Sequence, residues 1–155
     1  MIIQSNKIEA SMFTLHPQLL SDTFVIGKFD VSLLLLMNDS HYPWCILVPR
    51  REGVRELYQL DQDSRQGVLE ESCCLAEVMQ KLFAADKMNI AALGNVVPQL
   101  HIHHIARFKQ DPAWPQPVWG KHPARCYSDA ERDTIIKKLS EGLQHRSGFK
   151  PVNAV

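Results

Sequence analysis

Residues 94–108 read Gly-Asn-Val-Val-Pro-Gln-Leu-His-Ile-His-His-Ile-Ala-Arg-Phe. From Gln99 onward, polar and apolar residues alternate with the two-residue period of a β-strand. Gln99, His101, His103, Ile105 and Arg107 then share one face, and Leu100, Ile102, His104, Ala106 and Phe108 the other. Two imidazoles one strand repeat apart suit phosphate chemistry. A neutral imidazole attacks phosphorus to form a phosphoramidate, while a second donates a proton or hydrogen bond to the phosphate. Both titrate near neutral pH in their unperturbed state.

The neighbouring segments extend the pattern. Leu33-Leu34-Leu35-Leu36-Met37-Asn38-Asp39 is followed by Tyr42-Pro43-Trp44-Cys45-Ile46-Leu47-Val48-Pro49-Arg50, two apolar runs of strand length around a short turn. Together with the histidine segment, this resembles the histidine triad (HIT) superfamily of nucleotide hydrolases and transferases, whose motif is His-φ-His-φ-His-φ-φ with φ apolar. Gly94 to Pro98 stands where many members carry Gly-Gln-Ser/Thr-Val-x, and His104-Ile105-Ala106-Arg107 stands where they read φ-φ-Pro-Arg. Both anchors put the triad at Gln99, His101 and His103. The first histidine is thus replaced by glutamine, and the middle one, the family's nucleophile, is kept. The likeness covers roughly residues 12 to 108.

The resemblance implies an α+β, HIT-like fold with about five antiparallel strands, one long helix and a C-terminal helix. It implies hydrolysis or nucleotidyl transfer on nucleotide conjugates, such as dinucleoside polyphosphates or nucleoside phosphoramidates, through a nucleotidyl-His101 intermediate. His103 would stabilise phosphoryl oxygens or protonate the leaving group, with Gln99 as the third catalytic position. Asn38 would bind ribose, Asn95 phosphate, and apolar side chains around Leu36 and Ile46 the base. A homodimer is expected by resemblance. Gln99 cannot carry a proton, so the alternative is a nucleotide-binding protein with a degenerate triad and little or no turnover. Two further departures point that way: Tyr42-Pro43-Trp44 replaces the family's Pro-Gly-His turn, and the loop at Gly94-Asn95 is about five residues short of the usual length.

Composition narrows the field independently. With 155 residues, 45% of them hydrophobic, and 17 basic against 17 acidic side chains, the expectation is one domain spanning 1–155, its motif-bearing core at 12–108 and a C-terminal loop and helix at 109–145. Zero formal net charge argues against a broad nucleic-acid surface. The longest apolar run, Val31 to Met37, is far too short to span a bilayer and no leader pattern opens the chain, so a cytoplasmic protein without membrane partners is expected. No cofactor is expected. His-x-His could bind a metal with a third ligand from His41, His104 or His122, but no Asp, Glu or Cys supports that spacing, and no metal site is assigned. Cys45, Cys73, Cys74 and Cys126 are read as reduced, mostly buried thiols.

Along the chain, residues 12–20 form a short helical or irregular lead. Thr23–Phe29 and Ser32–Met37 form a hairpin, and Cys45–Val48 the next strand. Apolar positions at three- and four-residue intervals from about Asp63 to Ala85 mark an amphipathic helix capped by Asp61 or Asp63. Lys87–Leu93 and Gln99–Phe108 complete the strands. The proline-rich run 111–120 is an ordered loop whose Trp114 and Trp119 are assigned to interface packing. Ser128 and Glu131 form a capping box for a helix to about Leu143, after which the tail from Gly148 should fray. Arg107 is expected to pair with a carboxylate or face water, and His104 to be a hydrogen-bonded core histidine.

Overall fold

The computed structural model describes residues 13–152. Its centre is a six-stranded antiparallel sheet of β1 (Thr23–Lys28), β2 (Ser32–Met37), β3 (Trp44–Pro49), β4 (Lys87–Ala91), β5 (Ile102–Arg107) and β6 (Lys150–Pro151), in the order β4-β5-β3-β2-β1-β6. Helix α1 (Pro17–Asp22) precedes the sheet, α2 (Gln62–Phe83) crosses one face, and α3 (Asp129–Leu143) packs beside α2.

Period-two alternation sorts the strand residues to two cores. Leu34 and Leu36 of β2, Cys45 and Leu47 of β3 and Ala106 of β5 join Leu75, Val78 and Met79 of α2 and Leu139 and Leu143 of α3. Leu35, Trp44, Ile46, Val48 and Ile105 face the other way, onto Leu19 of α1 and Ala113 and Val118 of the proline-rich loop. The sheet therefore lies between a helical layer and a layer made of the N-terminal lead and the 108–127 loop. The second layer holds the site.

Local chemistry fixes the helix ends. Asp61 accepts from the Ser64 backbone N–H at 2.8 Å to start α2, and Ala84 ends it in the left-handed region at φ 51°. At α3 the Ser128 and Glu131 side chains exchange hydrogen bonds with each other's backbone N–H groups, the expected capping box.

Two expectations need correction. The tail does not fray at Gly148: Phe149 is buried against Phe29, and Lys150–Pro151 pairs with Gly27 and Lys28 as the sixth strand. Gly27 permits this, since a Cβ there would stand 2.5 Å from the Lys150 carbonyl oxygen. A two-residue strand held by a long-range aromatic contact has no local sequence signal. The four cysteines are free thiols, but only Cys45 is buried, while Cys73 and Cys126 are exposed. No helix among the described residues is long and apolar enough to cross a membrane.

Candidate active site

A cleft of about 430 Å³ opens on the second face of the sheet, lined by Gln18, Leu19 and Asp22 of α1, Met37, Ile46, residues 93–97, His101, His103 and Trp119. Its size is ordinary for a small-molecule site. Strand β5 supplies His103 to the cleft and turns His104 to the helical layer, as alternation requires.

His101 stands just before β5, and its ring lies 4.9 Å from that of His103, nearly perpendicular to it. Its Nδ1 is 2.7 Å from the Gln99 carbonyl oxygen. A carbonyl only accepts, so Nδ1 carries the proton and donates it. The lone pair is thereby left on Nε2, the nitrogen with no hydrogen-bond partner among the described residues.

His103 is held in the opposite tautomer. The Trp44 indole N–H donates to its Nδ1 at 3.0 Å, and an indole nitrogen is a donor only. The proton of the neutral ring is therefore on Nε2. Burial, reinforced by the neighbouring His101 and His104 rings, pushes the His103 pKa down to about 3, so the ring is neutral at physiological pH. Rings of Trp44 and Trp119 meet it edge-on, with centroids at 5.5 and 5.2 Å. The paired imidazoles thus present one lone pair and one N–H donor.

Trp44→Phe tests this assignment. It deletes the indole N–H and leaves the ring packing, so long-range ¹H–¹⁵N correlation of the imidazoles should show His103 losing its Nε2–H preference. Stability should fall by about 1 kcal/mol, the usual net contribution of one hydrogen bond. An unchanged tautomer would contradict the assignment.

The other sequence candidates fall in different places. The Gln99 side chain lies outside the cleft lining: its Nε2 donates to the Thr14 carbonyl at 2.9 Å and its Oε1 accepts from the His16 N–H at 2.9 Å. The reason is backbone conformation. The strand begins at Ile102, and Gln99 sits in a bend, so the alternation read through it does not apply. Asn38 is likewise outside the lining, and its Oδ1 accepts from the Tyr127 N–H at 2.9 Å. Asn95 does line the cleft, in the turn that Gly94 enables at φ +69°. Leu36 points to the helical core, and its neighbour Met37 takes the cleft position beside Ile46.

His104 is a core histidine. Its Nδ1 donates to the Ile102 carbonyl, the Ser72 hydroxyl lies 2.6 Å from Nε2, and burial lowers its pKa to about 4. Arg107 is wholly buried in an ion pair with Asp111 at 2.7 Å. Trp119 walls the cleft within its own chain, and the Trp114 ring centroid lies 5.7 Å from the Arg107 guanidinium carbon. Among the described residues, no group of three His, Cys, Asp or Glu side chains is gathered for a metal ion. Sequence reasoning missed Asp22, Gln18 and Leu19, which reach the cleft only because the lead packs back on the sheet. Pro17 at the start of α1 was their one local signal.

Comparison with known proteins follows the same lines. The HIT domain profile matches residues 18–110. A histidine triad protein of Marinobacter aquaeolei is similar at 50% identity, with a TM-score of 0.84 over 86% of this chain and 97% of its own. Histidine triad proteins of Bradyrhizobium japonicum and Sinorhizobium meliloti are each 39% identical. Their TM-scores are 0.82 and 0.84, covering 84% and 85% of this chain and 97% and 98% of theirs. No curated protein matches the chain. A profile that spans more than half of the sequence, and relatives superposable over nearly their whole lengths, make this chain a member of the histidine triad family, whose proteins bind nucleotides.

Proposed function

We propose that the protein hydrolyses, or transfers the nucleotidyl group of, nucleotide conjugates through a covalent intermediate on His101. The observation that carries this reading is the 2.7 Å contact between His101 Nδ1 and the Gln99 carbonyl, which frees the Nε2 lone pair for attack. Nε2 attacks the α-phosphorus, the bond to the leaving group breaks, and the leaving group departs with that electron pair and takes a proton from solvent. The ring becomes a nucleotidyl-imidazolium, whose positive charge strengthens the Nδ1–H bond to the carbonyl. Water then attacks phosphorus and the P–N bond returns its electrons to Nε2. The nucleoside monophosphate leaves, and one proton passes to solvent.

Within this scheme His103 is an N–H donor to a phosphoryl oxygen. A neutral ring whose Nδ1 is already occupied by Trp44 would have to become an imidazolate to act as acid, so the stabilising role is favoured over protonation. Gln99 contributes its backbone carbonyl, while its amide clamps the lead that carries α1. Asn95 and the adjacent backbone would meet the phosphate, with Met37, Ile46 and Leu19 around the base. The test is product release from nucleotide conjugates by the wild type and by His101→Ala. Monophosphate formed by the first and not by the second supports the reading, and equal release contradicts it.

The same reading includes a homodimer. Among the described residues, strand β4 is an outer strand of the sheet and pairs with β5 alone, so its other edge is open to a further strand. Ile90 on it, together with Leu57 and Leu69 across a second cavity of about 280 Å³, is exposed and apolar. We assign the dimer contact to this surface, on the strength of its outer strand and its exposed apolar side chains. Sedimentation equilibrium should give a dimer at micromolar concentration and a monomer for Ile90→Lys, and a monomeric wild type would contradict it.

A further inference from the structure

The cleft carries one ionisable carboxylate that neither the imidazole chemistry nor the phosphate contacts use. Asp22 closes α1 and lies beside the end of β2, where its carbonyl accepts from the Asn38 N–H at 3.0 Å. The registers place His103, Ile46, Leu35 and Val25 in one row across the sheet. Asp22 therefore belongs to the β1 side of the cleft and the imidazoles to the β5 side. Three strand spacings, about 14 Å between backbones, separate the two. Between them lie Met37 and Ile46, flanked by Leu19, an apolar bed for a base.

The chemistry at the far wall is one-sided. An ionised carboxylate only accepts hydrogen bonds. Asp22 Oδ2 already accepts from Gln18 Nε2 at 2.7 Å. That bond orients the amide and leaves Asp22 Oδ1 and Gln18 Oε1, on two residues that line the cleft, as acceptors without a partner among the described residues. Of the common bases, guanine offers two adjacent donors, N1–H and the N2 amino group, on its outer edge. Adenine offers one donor beside the N1 acceptor, which would face a carboxylate oxygen at a cost.

We infer that Asp22, supported by Gln18, makes this cleft selective for guanine nucleotides over adenine nucleotides. The inference rests on the nucleotide reading of the cleft but not on turnover.

Direct binding by isothermal titration separates the two. The wild type should bind GMP about tenfold or more tightly than AMP, the scale of one good bidentate pair to a base edge, with IMP, which lacks the N2 donor, between them. The dGMP affinity should match that of GMP. Asp22→Asn should bring the GMP-to-AMP ratio close to one, and Gln18→Ala should reduce it partly. Equal GMP and AMP affinities, a preference untouched in Asp22→Asn, or a loss with dGMP as large as that with AMP would overturn the assignment, the last by making Asp22 a ribose ligand. Selective GMP binding without hydrolysis of any conjugate would leave this inference standing and remove the hydrolase reading. Turnover without base preference would do the reverse.

Discussion

Replacing His101 by alanine is expected to lower turnover of a nucleotide conjugate by a factor on the order of 10⁴ to 10⁶, the range for removal of a covalent nucleophile. No neighbouring group replaces it. The Nδ1 of His103 is blocked by the Trp44 indole and its Nε2 holds the proton, so that ring offers no lone pair to phosphorus. His104 faces the opposite layer, where Ser72 and the Ile102 carbonyl occupy both nitrogens. Nucleotide affinity should change far less, because Met37, Ile46 and Leu19 provide most of the contact area proposed for the base. The expected signature is thus a collapsed kcat with a dissociation constant for the monophosphate that stays within a few fold. A parallel loss of both would point to collapse of the cleft. Substantial residual turnover would mean that water attacks directly.

Asp111→Ala is expected to be the most damaging single change to stability, costing about 3–5 kcal/mol, as when one member of a buried ion pair is removed. The Asp111 side chain is 2% exposed and that of Arg107 is 1% exposed. Asp111 Oδ2 accepts from Arg107 Nε at 2.7 Å and from the Phe108 N–H at 3.0 Å. Its Oδ1 accepts from Arg107 Nη2 and from the Ala113 and Trp114 N–H groups. Burial opposes its ionisation, but these donors outweigh it and hold the carboxyl below the ordinary aspartate range. A depressed folded pKa stabilises the protein above the unfolded value, near 3.8, and that contribution is lost as pH falls through the lower folded one. Alanine leaves Arg107 charged and buried, and strips the Phe108 and Ala113 N–H groups of their acceptor at the root of the loop that carries Trp119, while the Trp114 N–H keeps the Asp111 backbone carbonyl. Urea unfolding should show the loss, with Asp111→Asn intermediate because its amide oxygen still accepts. A loss below about 1 kcal/mol would place the network among surface-like ion pairs.

The histidine segment was legible because β5 is regular. Its period of two by itself puts His103 on the cleft face and His104 on the core face, as the structure has them. The helix starts are legible in Asp61 or Asp63, of which Asp61 is the cap, and in the Ser128–Glu131 box, since caps are local chemistry. Errors arose where a residue's fate depends on distant chain. Gln99 looks like a strand position, but its bend and its bonds to Thr14 and His16 were invisible without the lead in place. Leu36 and Met37 differ by one residue, and a one-residue choice of register reverses the face. Trp119 and Asp22 reach the cleft from segments with no periodicity of their own, and β6 rests on Phe149 meeting Phe29 across the whole sequence.

The proposed mechanism requires that His101 become covalently nucleotidylated. It is tested most directly by acid-free rapid quench of the protein with a nucleotide conjugate, followed by peptide mass spectrometry under neutral conditions that spare a P–N bond. The expected result is a mass increase of one nucleoside monophosphate less water, located on His101 and absent from His101→Ala. A monophosphate produced in full with no adduct at any time point, or an adduct on another residue that persists in His101→Ala, would contradict it.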